Sequence, residues 1–330
     1  MVSEATAMVS DDRVARSKAI QRRTGRTFHL ATRVLPERVR HPTYVLYGFF
    51  RVADEVVDDP EAETEPEQQR ETLKRLREAA LGRREADDEV VAAFSKVRER
   101  TGIAEADVNA FVDAMLTDVD TDRYETYDEL ETYMDGSAAA VGRMMTSVMD
   151  PDEPAEALPH ATALGEAFQM SNFLRDVRED VVDRDRVYLP VETLSEYDVP
   201  VEQVHDLEFS ESFADVMRHE IQRTEGLYQE GVAGIETLPE DCQFAVTLSA
   251  VLYADHHRLI RERGYDVLSE TPELSRSRKL SLFARTALNW AVLRDPEAVF
   301  YRVSAVPASA GRGPGSTEAG WSVRDWLPSR

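Results

Sequence analysis

The sequence predicts an all-α protein organised around a single core. Apolar residues recur at helical spacing along most of the 330 residues, whereas alternating β-branched stretches bounded by turn pairs are almost absent. Fifteen prolines and fifteen glycines fall mainly where helical patterns start or stop. With 42% hydrophobic residues the chain can build one large core, and no compositional shift divides it. We therefore expect a single-domain helical bundle.

Charge restricts the partners of the protein. The chain holds 63 Asp and Glu against 39 Lys and Arg, a formal net charge of −24, and four of the basic residues are lysine. A field this negative repels phosphate backbones and anionic lipid surfaces, so we expect no nucleic-acid partner and a preference for cations. Because concentrated salt screens such self-repulsion, the composition indicates a halophilic host.

Several absences in the sequence predict a cytoplasmic protein. The first residues show no apolar segment behind a basic one, and no apolar run approaches the length of a bilayer span. A single cysteine, Cys242, excludes an internal disulfide framework.

Two terminal segments are expected to lie outside the single domain. We expect an N-terminal extension (1–15), one domain (16–306) and a flexible C-terminal tail (307–330) rich in Gly, Ser, Ala and Pro. Within the domain, segments 60–69 and 150–159 are predicted to form acidic loops.

Segment 42–59 (PTYVLYGFFRVADEVVDD) is predicted to form a helix, because one proline opens it and another follows it. At 100° per residue, four of its polar residues fall within about 60° of one another: Tyr47, Arg51, Asp54 and Asp58. Most of the remaining circumference is apolar, which predicts a largely buried helix. Buried carboxylates need ion-pair partners or a metal ion.

Segment 165–182 (GEAFQMSNFLRDVREDVV) repeats this arrangement. Its polar stripe spans about 80° and consists of Gln169, Asn172, Asp176 and Asp180. In so acidic a chain, two aspartates four residues apart are also typical of an exposed face with Arg pairs. The apolar surroundings favour a buried site instead, in which the two stripes face each other across one cavity of a bundle.

The donor set of these stripes selects the metal. Carboxylate and amide oxygens at helical spacing suit Mg²⁺, with Mn²⁺ as the alternative. Zinc is disfavoured because neither stripe contains His or Cys, and a di-iron site would need two Glu-x-x-His pairs where the sequence offers only Glu202 with His205. We interpret His256 and His257 as surface or helix-end residues. Carboxylates, Mg²⁺ and arginines together predict binding of a diphosphate that leaves a hydrocarbon.

Five segments in order resemble the squalene and phytoene synthases, which are head-to-head prenyl transferases. The resemblance covers roughly 16–306 and rests on TFHLATRVLP (27–36), YVLYGFFRVADEVVDD (44–59), YDELETYMDGSAAAVG (127–142), AFQMSNFLRDVREDVVDRDRVYLP (167–190) and LYADHHRLIRERGYDVL (252–268). It implies an isoprenoid-synthase-like bundle with a central cavity.

The resemblance also implies roles for individual residues. The catalytic set would be Asp54, Asp58, Tyr133, Asp176 and Asp180, of which Tyr133 would lie near a carbocation. The four aspartates, assisted by Asn172, would hold Mg²⁺ bridged to diphosphate. Substrate would be bound by Phe28, Tyr47, Arg51, Gln169, Asn172 and Tyr253. The small residues 137–140 and Gly142 would either pack helices closely or leave room for a prenyl tail.

The implied reaction condenses two geranylgeranyl diphosphates head to head to phytoene, the first step of carotenoid biosynthesis, through a cyclopropylcarbinyl (prephytoene) diphosphate. The alternative is squalene or dehydrosqualene synthesis from farnesyl diphosphate, because cavity depth depends on packing. A more remote alternative is a non-catalytic assembly factor, which the two intact aspartate motifs disfavour. Peripheral contact with a membrane stays open, since so apolar a product must leave for a bilayer.

The sequence departs from the family pattern after Tyr265. Relatives are commonly Arg-rich there, whereas this chain continues as SETPELSRSRK (269–279). Whether Arg276, Arg278 and Lys279 form a basic flap over a diphosphate is therefore left open.

Overall fold

The computed structural model describes residues 30–58 and 65–308, and this part of the chain is helical. It contains no strand, and its β-type contact is an isolated bridge between Arg123 and Val187. The predicted all-α fold is thereby confirmed. In chain order the helices are α1 (Glu37–Asp58), α2 (Pro66–Ala80), α3 (Glu89–Thr101), α4 (Glu105–Thr117), α5 (Tyr127–Met134), a π-helical turn (Asp135–Ala139), α6 (Ala140–Met149), α7 (Pro154–Arg184), α8 (Val191–Glu196), α9 (Val201–His205), α10 (Glu211–Ala233), a 3₁₀ turn (Ile235–Thr237), α11 (Glu240–Glu262), α12 (Arg276–Leu293) and α13 (Pro296–Val303).

Some predictions fall on other parts of the chain. Phe28, the expected N-terminal extension and nearly all of the expected tail lie outside the described residues. Asp58 is described as the last residue of α1, but its side chain is not.

Helix α1 begins five residues before the predicted start, at Glu37 instead of Pro42. Proline is expected in the first helical turn because it has no N–H to donate, yet here it lies in the second turn. Proline at position 42 removes one main-chain donor, the N–H that would reach the Arg38 carbonyl, and the next residue, Thr43, adds a bond from its hydroxyl to the Val39 carbonyl at 2.8 Å. The helix continues through the proline, and the predicted boundary is wrong.

The predicted acidic loops 60–69 and 150–159 are too long. Helix α2 already begins at Pro66 and helix α7 at Pro154, each with proline in its first turn. Proline there is pre-organised for the helix and marks a start rather than a loop. A second proline, Pro159, lies inside α7.

Helix α7 is the central element of the bundle. Its 31 residues span about 46 Å and it packs against α6, α10 and α11. Its apolar side chains contribute to three hydrophobic clusters, so the helix has core on most of its sides. Those side chains are Leu164, Ala167, Met170, Phe173, Leu174, Val177 and Val181.

Glycines bring α7 into backbone contact with its neighbour. A Cβ added to Gly165 would lie 2.6 Å from the Ala138 carbonyl oxygen, and one added to Gly142 would lie 2.4 Å from the Ala161 carbonyl oxygen. Real Cβ atoms do not approach so closely, so both positions need glycine. The small-residue segment thus packs helices closely, and Ser137, Ala138 and Gly142 also line the cavity described below.

His256 and His257 are buried in α11, which corrects their interpretation as surface or helix-end residues. The His257 Nε2 lies 3.0 Å from the Ser171 hydroxyl, which in turn lies 2.8 Å from the Tyr228 hydroxyl. Burial lowers the pKa of His256 to about 3 and also lowers that of His257, so both rings are neutral near pH 7. His257 thereby connects α7, α10 and α11, whereas His256 bonds to the Tyr253 carbonyl of its own helix at 3.0 Å.

Candidate active site

A cavity of about 600 Å³ lies between α1, α4, α6, α7 and α11. The two polar stripes share it, as their periodicity predicts. It is lined by every predicted site residue whose side chain is described: Tyr47, Arg51, Asp54, Tyr133, Gln169, Asn172, Asp176, Asp180 and Tyr253.

Each described aspartate of the two stripes is paired with an arginine of its own helix. Arg51 Nη1 donates to Asp54 Oδ2 at 3.2 Å. Arg184 Nη1 donates to Asp180 Oδ1 at 2.8 Å. Asp176 accepts two bonds from Arg175, and its Oδ1 lies 2.6 Å from Arg175 Nε. An anionic ligand can compete for these arginines, and a cation can compete for the carboxylates. The ion pairs can therefore separate, so that the arginines bind an anion and the aspartates bind a cation.

The carboxyl group of Asp180 is strongly perturbed by its surroundings. Burial raises the pKa of its carboxyl from an ordinary 3.8 to about 7, and neighbouring Asp176 raises it too, whereas Arg184 lowers it. Only 9% of the side chain is exposed. A nearby cation would favour the charged form and reverse this shift. Ionisation of Asp180 and binding of a cation therefore support each other.

The polar end of the cavity has almost balanced charges. The described lining residues include Arg51, Arg175, Arg184, Arg186, Asp54, Asp118, Asp176, Glu179 and Asp180. Because the arginines face a slight excess of carboxylates, a diphosphate cannot be bound here without additional positive charge.

A hard divalent cation fits this donor set. Over residues 30–58 and 65–308, no three His, Cys, Asp or Glu side chains are close enough to form a closed metal cage. Mg²⁺ does not need one, because it keeps several waters and takes one or two carboxylates together with phosphate oxygens. Carboxylate oxygens from both walls of the cavity, at Asp54 on α1 and at Asp176 and Asp180 on α7, match that preference.

An aromatic wall adjoins the polar end. The rings of Phe173 and Tyr188 stack with centroids 3.9 Å apart, and the Tyr133 ring lies 6.4 Å and 6.1 Å from them. The Tyr133 hydroxyl donates to Asp118 Oδ2 at 2.9 Å. Burial raises the pKa of Tyr133 well above its ordinary range, so the phenol stays neutral. Such a wall offers ring faces to a developing positive charge.

The opposite end of the cavity is apolar. Tyr253 also lines the cavity, with its ring stacked on that of Phe168 at a centroid distance of 4.5 Å. Burial raises the pKa of its hydroxyl to about 12. The apolar lining includes Leu46, Phe50, Val141, Met145, Leu164, Ile235 and Leu238. This end fits a long hydrocarbon chain.

Several lining residues are not among the sequence predictions. Arg175 and Arg184 flank the second stripe but lie off its 80° sector, and Phe173 is one of the apolar residues beside that stripe. Arg186 and Tyr188 stand in the RVYLP segment, which the resemblance quotes without giving them roles. Asp118 follows α4 and has no sequence pattern of its own.

Segment 269–279 does not line the cavity. Arg278 instead makes two hydrogen bonds to Asp255, at 2.6 and 2.9 Å. Although burial alone would raise the pKa of Asp255, the bonds from Arg278 and Arg258 hold it below its ordinary value. In this structure Arg278 therefore anchors α12 to α11.

An α-helical bundle with carboxylate and arginine side chains from two helices at one end of an apolar cavity defines the class of all-α isoprenoid synthases. The sequence model of the squalene/phytoene synthase family matches residues 21–278, and the chain belongs to this family of prenyltransferases.

Individual relatives agree with that assignment. The chain is 33% identical to the phytoene synthase of Rhodobacter capsulatus over 273 residues, which cover 81% of this chain and 79% of the relative. It is 29% identical to the 15-cis-phytoene synthase of Synechococcus elongatus, over 80% of this chain and 88% of the relative. Among solved structures, a dehydrosqualene synthase is similar with a TM-score of 0.75 and 25% identity, covering 85% of this chain and 97% of the other.

Proposed function

We propose that the protein condenses two molecules of geranylgeranyl diphosphate head to head and releases phytoene, as the first step of carotenoid biosynthesis. The observation that supports this most is the cavity itself, whose polar end holds paired carboxylates and arginines from two helices and whose other end is apolar. The relatives that are 33% and 29% identical are phytoene synthases, which favours the C20 substrate.

The polar end would bind the diphosphates. Asp54, Asp176 and Asp180, with Asp58 and Asn172, would hold Mg²⁺ or Mn²⁺, which supplies the positive charge that a diphosphate needs in order to leave. The four lining arginines would then turn from their aspartates to phosphate oxygens, for which the planar guanidinium is well suited. Arg51 of α1 and Arg175 of α7 would contact the diphosphate from opposite walls of the cavity.

The rest of the cavity would control the reactive hydrocarbon. Tyr47, Gln169 and Tyr253 would line the passage of the substrate, as would Phe28. Tyr133 would present a neutral ring to the allylic cation, held in place by its hydroxyl bond to Asp118. The apolar end would keep water from that cation until rearrangement and proton loss complete the product.

Dehydrosqualene synthesis from farnesyl diphosphate is the second candidate. It is favoured by the likeness to a dehydrosqualene synthase, at 25% identity. Both activities would use the same polar end, and the depth of the apolar end would separate C15 from C20 chains.

The setting of the enzyme is also proposed. We infer a cytoplasmic enzyme of a salt-rich cell, with its catalytic domain in residues 16–306, because the net charge is −24 and buried core residues continue to Val306. No helix in the described ranges is long and apolar enough to cross a bilayer. Peripheral membrane contact is proposed for release of the apolar product.

Turnover by the purified protein tests the proposed function. With Mg²⁺, diphosphate release and product mass are followed while geranylgeranyl and farnesyl diphosphates compete. A C40 hydrocarbon is expected, whereas a C30 product would support the second candidate. No diphosphate release at any salt concentration would overturn the enzymatic assignment.

Matched variants test the two stripes. Asp54→Asn, Asp58→Asn and Asp180→Asn are each expected to lower turnover by orders of magnitude. The controls are Glu55→Gln and Asp183→Asn, which alter exposed acids on the same helices that do not line the cavity. Near-normal turnover in a stripe variant would remove that residue from the site.

A further inference from the structure

Helix α12 presents an apolar stripe to solvent. Leu280, Leu288 and Val292 are 69%, 71% and 81% exposed. At 100° per residue they share a sector of about 120° with Ala284 and Ala291 and with two small polar residues, Ser277 and Ser281, all of which are exposed as well. Exposed apolar residues are ordinary when scattered, but a sector with three large ones along a single helix marks an interaction surface.

The opposite face fixes the orientation of this helix. Leu282 and Thr286 are buried against the bundle. Phe283 and Trp290 make edge-on ring contacts with Phe244 of α11, with centroids 6.1 and 5.7 Å apart. Together with the anchor from Arg278 to Asp255, these contacts determine which face of α12 points outward. The solvent-facing stripe therefore follows from a well-packed helix.

The charge on α12 differs from that of the protein. Residues 276–294 contain five Arg and Lys and no Asp or Glu, in a chain whose net charge is −24. Arg285 borders one edge of the apolar sector, and Arg276 and Arg294 border the other. Among the described residues none of these three has an ion-pair partner. An apolar stripe between two basic edges is the pattern of helices that lie flat in a membrane interface.

We propose that this surface, the α12 face, docks the enzyme on a lipid bilayer with anionic headgroups. The stripe inserts between acyl chains while the arginines at its edges contact phosphates. This assigns a surface to the membrane contact that the proposed function includes. The surface itself is inferred from α12 alone and does not require the proposed activity.

Charge disfavours the other occupants of the α12 face. A second copy placed face to face would set its arginines against the same arginines. Residues 1–29 carry six Arg and Lys against three acids and so repeat that positive charge, whereas residues 309–330, with three against two, are nearly neutral. An anionic lipid surface complements the arginines, which neither a second copy nor either terminal segment does.

Docking through α12 would place the cavity near the bilayer. Helix α11 separates the two, because Phe244 contacts α12 while the next residues, Ala245 and Val246, line the cavity. A product released beside this wall would need to cross little water. The enzyme would thus be bound where its product accumulates.

Vesicle flotation tests the proposal. The full-length protein is mixed with vesicles of equimolar phosphatidylglycerol and phosphatidylcholine, and partitioning is compared with the variant Leu280→Ser/Leu288→Ser/Val292→Ser. At least a tenfold loss is expected, because each leucine removed from an apolar phase is worth about tenfold or more. Phe209→Ser, at another exposed apolar residue, is the control and should float like the wild type.

Salt separates the two contributions to binding. The variant Arg276→Gln/Arg285→Gln/Arg294→Gln should weaken flotation in the lowest salt that keeps the fold, and have little effect in about 2 M KCl, where charges are screened. All variants should release diphosphate like the wild type in detergent, so loss of vesicle binding and loss of catalysis are distinguished. Equal flotation of the serine variant and the wild type, or no flotation of either, overturns the proposal.

A fluorescent label identifies the occupant. Cys242 is buried, so Leu288→Cys can be labelled selectively with a polarity-sensitive dye. We expect a blue shift only when vesicles are added, and none for Phe209→Cys. If a blue shift occurs without vesicles and grows with protein concentration, a second copy of the chain covers the α12 face. If it occurs without vesicles but is independent of protein concentration, a segment of the same chain covers the face. Either of these results overturns the proposal.

Discussion

Replacing Asp180 by asparagine should stabilise the protein while it abolishes activity. Burial raises the pKa of this carboxyl from an ordinary 3.8 to about 7. Folding therefore disfavours its charged form, and the free energy of unfolding falls as pH rises from about 4 to 7, because the native state holds the proton longer. Above pH 7 the carboxyl is ionised in the folded protein, and the full cost of burying its charge is present. Asparagine carries no charge and avoids this cost.

The size of the gain follows from the same values. Three pH units correspond to about 4 kcal/mol as an upper limit. Arg184 loses a charged partner at 2.8 Å in the variant, which offsets part of this gain. We expect Asp180→Asn to raise the free energy of unfolding by about 1–3 kcal/mol at pH 8 in the absence of divalent cations. The advantage should shrink towards pH 5.

Urea unfolding in the presence of EDTA at several pH values provides the measurement. The control is Glu166→Gln, because burial, together with Glu131, Asp135 and Glu230, raises the pKa of Glu166 to about 7 as well. Glu166 does not line the cavity, so that variant should show the same pH signature with turnover retained. The reasoning is refuted if Asp180→Asn is no more stable than the wild type at pH 8, or if its advantage does not change with pH.

Three further changes have expected outcomes. Gly165→Ala should lower the free energy of unfolding by about 2 kcal/mol, because its Cβ would lie 2.6 Å from the Ala138 carbonyl oxygen. Gly226→Ala is the control, because a Cβ there would have no atom within 4 Å, and it should not lower the free energy of unfolding. Urea midpoints measure both effects. Tyr133→Phe should cost about 1–3 kcal/mol of stability by removing the hydrogen bond from its hydroxyl to Asp118, yet keep more turnover than Tyr133→Leu, which loses the ring. Equal turnover in the two variants would exclude a role for the aromatic face. Arg175→Gln should raise KM about tenfold in diphosphate-release assays, because it removes a guanidinium that would bind the diphosphate. Arg178→Gln is the control and should leave KM unchanged, because the guanidinium of Arg178 donates to the Leu268 carbonyl instead.

Local patterns were sufficient for the helices and for much of the site. The spacing of polar residues on α1 and α7 depends only on the 100° turn of the α-helix, so the stripes could be predicted without knowing their surroundings. Their apolar flanks indicated burial, and two buried carboxylate stripes in one bundle implied a shared cavity.

Boundaries and pairing could not be predicted in this way. Proline occurs in loops, in first helical turns and, as at Pro42, in a second turn. The helix boundaries predicted near Pro42, Pro66 and Pro154 were therefore wrong. His256 and His257 lie in a polar-looking stretch, and only packing against α7 and α10 shows that they are buried and neutral.

The sequence by itself determined the helical class, the two stripes and, through its motifs, the family. Tertiary structure alone decided that Arg175, Arg186 and Tyr188 complete the cavity and that Arg278 instead secures α12 to α11. It also decided that three large apolar side chains of α12 face solvent. The physical reason is that helical periodicity specifies which residues share a face, whereas the partner of that face depends on how distant helices pack.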